Sequence, residues 1–108
     1  MDKRYREHAG LFKALSGIHR LMIVDMLSCG ELCACRILER FHITQPTLSH
    51  HMKVLCDCGL VKGRKGGKWT YYSLNSEMMQ GIKAFWDEVV SDKSSCAHSE
   101  MPCGGGNC

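Results

Sequence analysis

No Cys-x-x-Cys occurs anywhere in these 108 residues, although eight of them are cysteine. That missing spacing excludes the usual zinc ribbon and the thioredoxin-type redox motif. Long apolar runs are missing too. The longest unbroken aliphatic stretch is Leu21 to Val24, far short of the ~20 residues of a membrane-spanning helix, so no membrane role is expected. The opening Met1-Asp2-Lys3-Arg4-Tyr5-Arg6-Glu7 leads into no apolar run, so no secretory signal peptide is expected. The expected setting is the reducing cytoplasm, where closely spaced thiols stay free and serve as metal ligands or redox groups. Neither a nucleophile–base–orienter spacing nor a phosphate loop is present, which argues against an enzyme.

What is present is an ordinary globular composition, 44% hydrophobic and 23% charged, in a length that suits one domain with a modest core. The charge is unevenly placed. Residues 44–68 hold Lys53, Lys62, Arg64, Lys65 and Lys68 against the single acid Asp57, while the rest of the chain is nearly balanced. A basic segment on a near-neutral body is the electrostatic footprint of a polyanion site. The cysteines fall as two Cys-x-Cys pairs, Cys33/Cys35 and Cys56/Cys58, a lone Cys29, and three late residues, Cys96, Cys103 and Cys108.

The first third has helical periodicity. Tyr5, Ala9, Phe12 and Leu15 mark one buried face, and Ile18, Leu21, Met22 and Met26 mark a second after the Ser16-Gly17 break. Gly30 supplies a stop, and a third short helix is predicted over Glu31–Arg40, burying Leu32, Ile37 and Leu38. Thr44 then suits an N-cap, with Pro46 in the first turn, where its missing N–H is no loss. In the helix that follows, ending near Cys58-Gly59, Leu48, Met52 and Leu55 share an apolar back with His51 at its edge. Pro46, Ser49, His50 and Lys53 lie opposite.

Residues 60–64 and 68–74 are rich in β-branched and aromatic residues and flank Lys65-Gly66-Gly67, which suits a hairpin tip. From Asn75-Ser76 a last helix carries a broad stripe of Met78, Met79, Ile82, Phe85, Trp86, Val89 and Val90. The expected domain therefore spans residues 1–91, followed at 92–108 by a flexible Cys/Gly-rich tail. Two short helices joined by a turn and followed by a basic hairpin predict a mainly α fold with a β-hairpin wing, a winged helix-turn-helix. Its second helix fits the major groove, and its wing lies along phosphates or the minor groove. Gln45, Thr47, Ser49 and His50 carry the right groups for base edges. Lys53 neutralises phosphate, and Arg64, Lys65 and Lys68 bring charge to a tip of little bulk. The wide stripe on the last helix predicts pairing with a copy of itself. The resulting homodimer would read double-stranded operator DNA with an inverted repeat.

The segments Glu31-Leu32-Cys33-Ala34-Cys35, Ile43 to Leu55, Gly59-Leu60-Val61, Arg64 to Trp69 and Tyr71-Tyr72-Ser73-Leu74 together resemble the ArsR/SmtB family over about residues 5–90. Within that family the chain is most similar to arsenic-responsive repressors, whose hallmark is Glu-Leu-Cys-x-Cys. The resemblance implies a homodimeric repressor on the operator of a resistance operon. Such a repressor leaves the DNA when trivalent arsenic, As(III), or antimony, Sb(III), binds Cys33 and Cys35. The best-known pattern adds a third cysteine three positions after the second, and here that position is Leu38. A third thiolate would come from Cys96, Cys103 or Cys108 in the tail, in the same chain or the partner, or from Cys29. Cadmium- and lead-type relatives add N-terminal cysteines, and residues 1–28 have none. Zinc-type relatives use histidines on the last helix, and residues 76–92 have none.

Thiolates favour soft, thiophilic ions over Mg²⁺ or Ca²⁺. On the predicted helix Cys33 and Cys35 point about 200° apart, so joint chelation must unwind its first turn and tilt the helix that reads DNA. A thiol redox switch, or a cadmium- or lead-type metal sensor, on the same scaffold is the alternative. Cys56 and the histidines His42 and His51 are expected to be structural, and Trp69 and Tyr71 to pack the wing onto its helix.

Overall fold

The computed structural model describes residues 2–91. The predicted tail, with Cys96, Cys103 and Cys108, lies outside the described residues. In chain order the elements are α1 (Asp2–Leu15), α2 (Ile18–Leu27), β1 (Leu32–Cys33), α3 (Ala34–Leu38), α4 (Gln45–Asp57), β2 (Val61–Gly66), β3 (Trp69–Leu74) and α5 (Ser76–Val90). The strands form one antiparallel sheet in the order β1-β3-β2. This is the expected winged helix-turn-helix, with α3 and α4 as the helical pair and β2–β3 as the wing. No helix among the described residues is long and apolar enough to cross a membrane.

Helix α4 is built from signals legible in the chain. Thr44 caps it in an extended conformation, its Oγ1 accepting from the Thr47 N–H at 3.4 Å and lying 3.0 Å from the Thr47 hydroxyl. Leu48, Met52 and Leu55 are 2%, 2% and 0% exposed, so the predicted apolar back is the buried face. At the far end Cys58 is the C-cap, and Gly59 turns the chain at φ +86°. The Leu60 N–H reaches the Leu55 carbonyl and the Gly59 N–H reaches that of Cys56, which satisfies carbonyls the helix would otherwise orphan. The chain then enters β2 through the buried Leu60 and Val61.

The first two helices depart from expectation. In α1 the core side chains are Leu11 and Ala14, whereas Tyr5 and Phe12, predicted to be buried, are 54% and 37% exposed. In α2 the core takes Ile23, Val24 and Leu27, leaving the predicted face of Ile18, Leu21 and Met22 open. Both helices are apolar on two sides, and periodicity cannot say which side meets the rest of the chain. Helix α5 has no buried residue at all. It lies against α1 through the Arg4–Glu88 ion pair, His8 stacked on Phe85 at 4.2 Å, and Phe12 edge-on to Trp86 at 6.1 Å. Together α1 and α5 present one apolar surface.

The hairpin tip also shifts. Gly66 pairs with Trp69, so the turn is Gly67-Lys68, with Gly67 at φ +67°. Between α2 and α4, Arg20 donates from Nε to the Ala14 carbonyl at 2.7 Å and from Nη1 to Nδ1 of His51 at 3.2 Å. His51 is therefore structural as expected, while His42 is exposed.

Two stability predictions follow from these contacts. Gly59→Ala forces an L side chain into left-handed backbone and brings its Cβ to 3.4 Å from the Met78 methyl carbon. It should lower unfolding free energy by about 1–2 kcal/mol, read from urea titration. Burial, then the charges of Arg20, His19 and His50, lower the His51 pKa below the ordinary 6.5. The unfolded chain thus binds this proton more readily, so the stability held above the ordinary value is lost as pH falls through the lowered one. Melting temperature should drop as pH falls below the ordinary 6.5, and His51→Gln should flatten that drop.

Candidate nucleic-acid interface and thiol site

Turning Leu48, Met52 and Leu55 inward turns the other side of α4 outward. Gln45, Thr47, Ser49, His50 and Lys53 are all exposed, on the face a major groove would meet. Lys53 pairs with Asp57 one turn on, at 3.0 Å, across a solvated surface. Such a pair is weak enough to yield to a phosphate.

The wing cations divide by environment. Lys65 and Lys68 are exposed near and in the turn, with Lys68 Nζ 5.6 Å from the centre of the Trp69 ring. Arg64 is already engaged. It donates from Nε and Nη2 to the two carboxylate oxygens of Glu31 at 2.8 and 2.7 Å, and its guanidinium lies 4.7 Å above the Tyr71 ring. That hydrogen bonding holds the Glu31 carboxyl below its usual pKa. Arg64 therefore braces the wing against the segment that leads into β1, a role its charge alone did not reveal. Tyr71 packs beneath this brace, while Trp69 remains 45% exposed.

The thiol pair corrects the predicted helix over Glu31–Arg40. Leu32 pairs with Tyr72 and Cys33 with Tyr71, so these residues form β1 on the edge of the wing sheet. Cys33 is extended, at φ −80° and ψ 156°, and serves as N-cap to an α3 that starts only at Ala34. The 200° divergence of two residues on one helix therefore does not apply. Cys33 and Cys35, with Cα atoms 5.5 Å apart, bring their sulfurs into bonding contact while α3 stays wound. The premise that both cysteines share one helix, on which the expected unwinding rested, does not hold, because Cys33 lies in β1.

Cys35 also faces a cleft of about 330 Å³ between α3, α4 and β3. Leu38, Leu48, Met52, Trp69 and Tyr72 supply its apolar lining, and Gln45, Ser49, Lys68 and Thr70 its polar rim. The thiol pair thus adjoins both halves of the DNA-facing surface. The other described cysteines differ. Cys29 is exposed. Burial, then the neighbouring Asp57 and Cys58, push the Cys56 thiol up, against thiolate formation, and Cys58 Sγ donates to the Leu55 carbonyl at 3.3 Å. Among the described residues no three metal-ligating side chains cluster. Glu31 had not been expected to brace the site. Glu31 carried a signal, a lone acid before the cysteine pair, but β1 is too short for any alternation to show.

Comparison with known proteins agrees with this geometry. The sequence pattern of the bacterial regulatory protein arsR family matches residues 19–62, which run from α2 through the helix-turn-helix into β2. The chain is 47% identical over 100 residues to the arsenical resistance operon repressor of Staphylococcus xylosus, covering 93% of this chain and 96% of that one. To the repressor of the same name in Staphylococcus aureus it is 53% identical over the same shares. Among solved structures, HlyU from Vibrio cholerae superposes with a TM-score of 0.71 at 29% identity, over 83% of this chain and 98% of that one. With matches that span nearly the whole of both repressors, the chain belongs to the arsR family of bacterial regulatory proteins and is a DNA-binding transcriptional regulator.

Proposed function

We propose that this regulator is the repressor of an arsenical resistance operon in the cytoplasm, released from its operator when As(III) or Sb(III) binds the thiolates of Cys33 and Cys35. The observation that carries this is the meeting of two sulfurs at the junction of wing sheet and helix-turn-helix, in a chain so similar to two arsenical resistance repressors. Gln45, Thr47, Ser49 and His50 read base edges, and Lys53, Lys65 and Lys68 contact phosphate. Arg64 joins them only by exchanging Glu31 for a phosphate. Cys96, Cys103 and Cys108 are the candidate further donors, in the same chain or the partner.

The apolar surface of α1 and α5 supports a homodimer. Trp86, Val89 and Val90 are 53%, 47% and 61% exposed, beside Tyr5 and Phe12. A contiguous apolar surface of this kind marks an interaction site, and a two-fold pair of recognition helices matches an inverted repeat.

Release follows from where the sulfurs are anchored. Cys33 is hydrogen-bonded into the wing sheet, and Cys35 rides on α3. An atom inserted between the sulfurs must lengthen the gap between those two bodies. The wing is then displaced relative to α4, and a surface that fitted groove and phosphate together fits them less well. By linkage, bound DNA must weaken inducer binding by the same factor.

The same sulfur pair supports a second reading, a redox switch in which peroxide takes two electrons from the dithiol and leaves a disulfide and water. Operator release by arsenite and by peroxide, each with a reductant control, separates the two. Cys33→Ser and Cys35→Ser should keep operator affinity and lose release by arsenite, measured by fluorescence anisotropy on labelled duplex. Unimpaired release in both would refute the thiol site. Lys65→Ala should weaken binding to all sequences alike and make the salt slope shallower by about one unit. His50→Ala should instead change base preference, as read by competition with altered half-sites.

A further inference from the structure

The basic segment does not offer all its charge on equal terms. Lys62, Lys65 and Lys68 are exposed, and Lys53 has a single ion-pair contact with Asp57, whereas Arg64 is held by both carboxylate oxygens of Glu31 at 2.8 and 2.7 Å. The sheet arranges this. Arg64 pairs with Tyr71 across β2 and β3, and Tyr71 pairs with Cys33 across β3 and β1, so these three side chains share one face. Glu31, two residues before Cys33, reaches Arg64 on that face. The guanidinium lies 4.7 Å from the centre of the Tyr71 ring, in space that Gly66 leaves open. A Cβ at Gly66 would come within 2.9 Å of the ring and 3.3 Å of Arg64 Nη1.

Yet the pair is not sealed. The Arg64 and Glu31 side chains are 59% and 34% exposed, so an incoming anion can reach the guanidinium. A phosphate offers an arginine the same forked pair of acceptor oxygens as a carboxylate. Arg64 stands three positions before Gly67 in the turn, ~10 Å along the strand, so its side chain can be directed toward the backbone that Lys65 and Lys68 meet. We propose that the Glu31 carboxylate acts as a substitute phosphate: it competes with the DNA backbone for Arg64 and so lowers affinity for every DNA sequence. Glu31 is then a positioning residue for the wing, and its role rests on the DNA-binding face described above. The electrostatics have the same sign in either bound arrangement. If Arg64 stays on Glu31, its charge neutralises no phosphate. If it moves to a phosphate, Glu31 is left as an unpaired anion beside a polyanion. In both cases the complex releases about one counterion fewer than a free Arg64 would release. The penalty is modest, about fivefold in affinity, because an exposed ion pair is weak.

The test titrates the full chain onto a labelled mixed-sequence duplex across a series of salt concentrations, followed by fluorescence anisotropy. Glu31→Gln, which keeps the shape and removes the charge, should tighten binding by about fivefold at low salt and steepen the salt slope by about one unit. Glu31→Ala should do the same. Loss of a mere brace would loosen the wing and weaken binding, so the direction of the change separates the two roles. In the Arg64→Ala chain, Glu31→Gln should leave both affinity and slope unchanged. Unchanged or weaker binding by both Glu31 variants, with melting curves showing them folded, overturns the proposal and leaves the contact as a brace. Equal tightening with and without Arg64 also overturns it, since the carboxylate then acts by repelling the backbone directly. If Lys65→Ala leaves the salt slope as it was, the wing does not touch the duplex, and the wing reading fails together with this proposal.

Discussion

The pairing of Leu32 and Cys33 with Tyr72 and Tyr71 is the constraint on which the site depends. It is a short ladder, yet it fixes the backbone of Cys33 as extended at the one place where a helix would have sent its thiol away from Cys35. Neighbouring side chains on a strand and on the turn that follows it are not bound to helical spacing, so two residues two apart can face one another. The bidentate Arg64–Glu31 contact lies just beside that ladder and ties the same segment to β2 as well as β3. The thiols are thus attached to the wing on one side and to the helix-turn-helix on the other.

That placement explains how a small local event can reach DNA. The recognition helix is held firmly, capped at both ends, with its apolar back in the core; each such side chain contributes about 1.5–3 kcal/mol on burial. The wing is anchored at its base by Val61, Tyr72 and Leu74 on the core, and toward its tip only by strand pairing and exposed polar contacts. On the proposed reading, strain introduced at Cys33 and Cys35 would reach the wing tip before the helix. A conformational change requires a ligand with different affinity for the two arrangements, and an atom that must sit between two anchored sulfurs has that property. The unwinding of α3 is not required, because Cys33 was never part of it.

The core of one chain leaves much apolar surface uncovered. Small domains bury a lower share of their surface and are correspondingly marginal. Here α5 half-buries Met78, Met79 and Ile82 on the core but leaves Trp86, Val89 and Val90 open, and α1 turns Tyr5 and Phe12 outward. In the proposed homodimer the same surface that completes the fold would also set the distance between two recognition helices. Stability and half-site spacing then rest on one set of side chains.

The local signals were sufficient by themselves for α4 and the wing. Thr44, Pro46, the Leu48–Met52–Leu55 spacing, Gly59 and the paired apolar and basic residues of the hairpin act within a few residues of one another, and short-range chemistry determines them. The family likeness, with its cysteine pair, was legible for the same reason. Which face of α1 and α2 is buried was not, since both have two apolar sides and only the docking of distant elements selects between them. Nor was β1 legible. A two-residue strand has no period, and its existence depends on Tyr71 and Tyr72 arriving from some forty positions along the chain. Sequence alone therefore determined that two thiols lie near a DNA-reading helix. Only the tertiary structure decided that they face each other, because a hydrogen-bonded partner strand, and not local propensity, sets the backbone at Cys33.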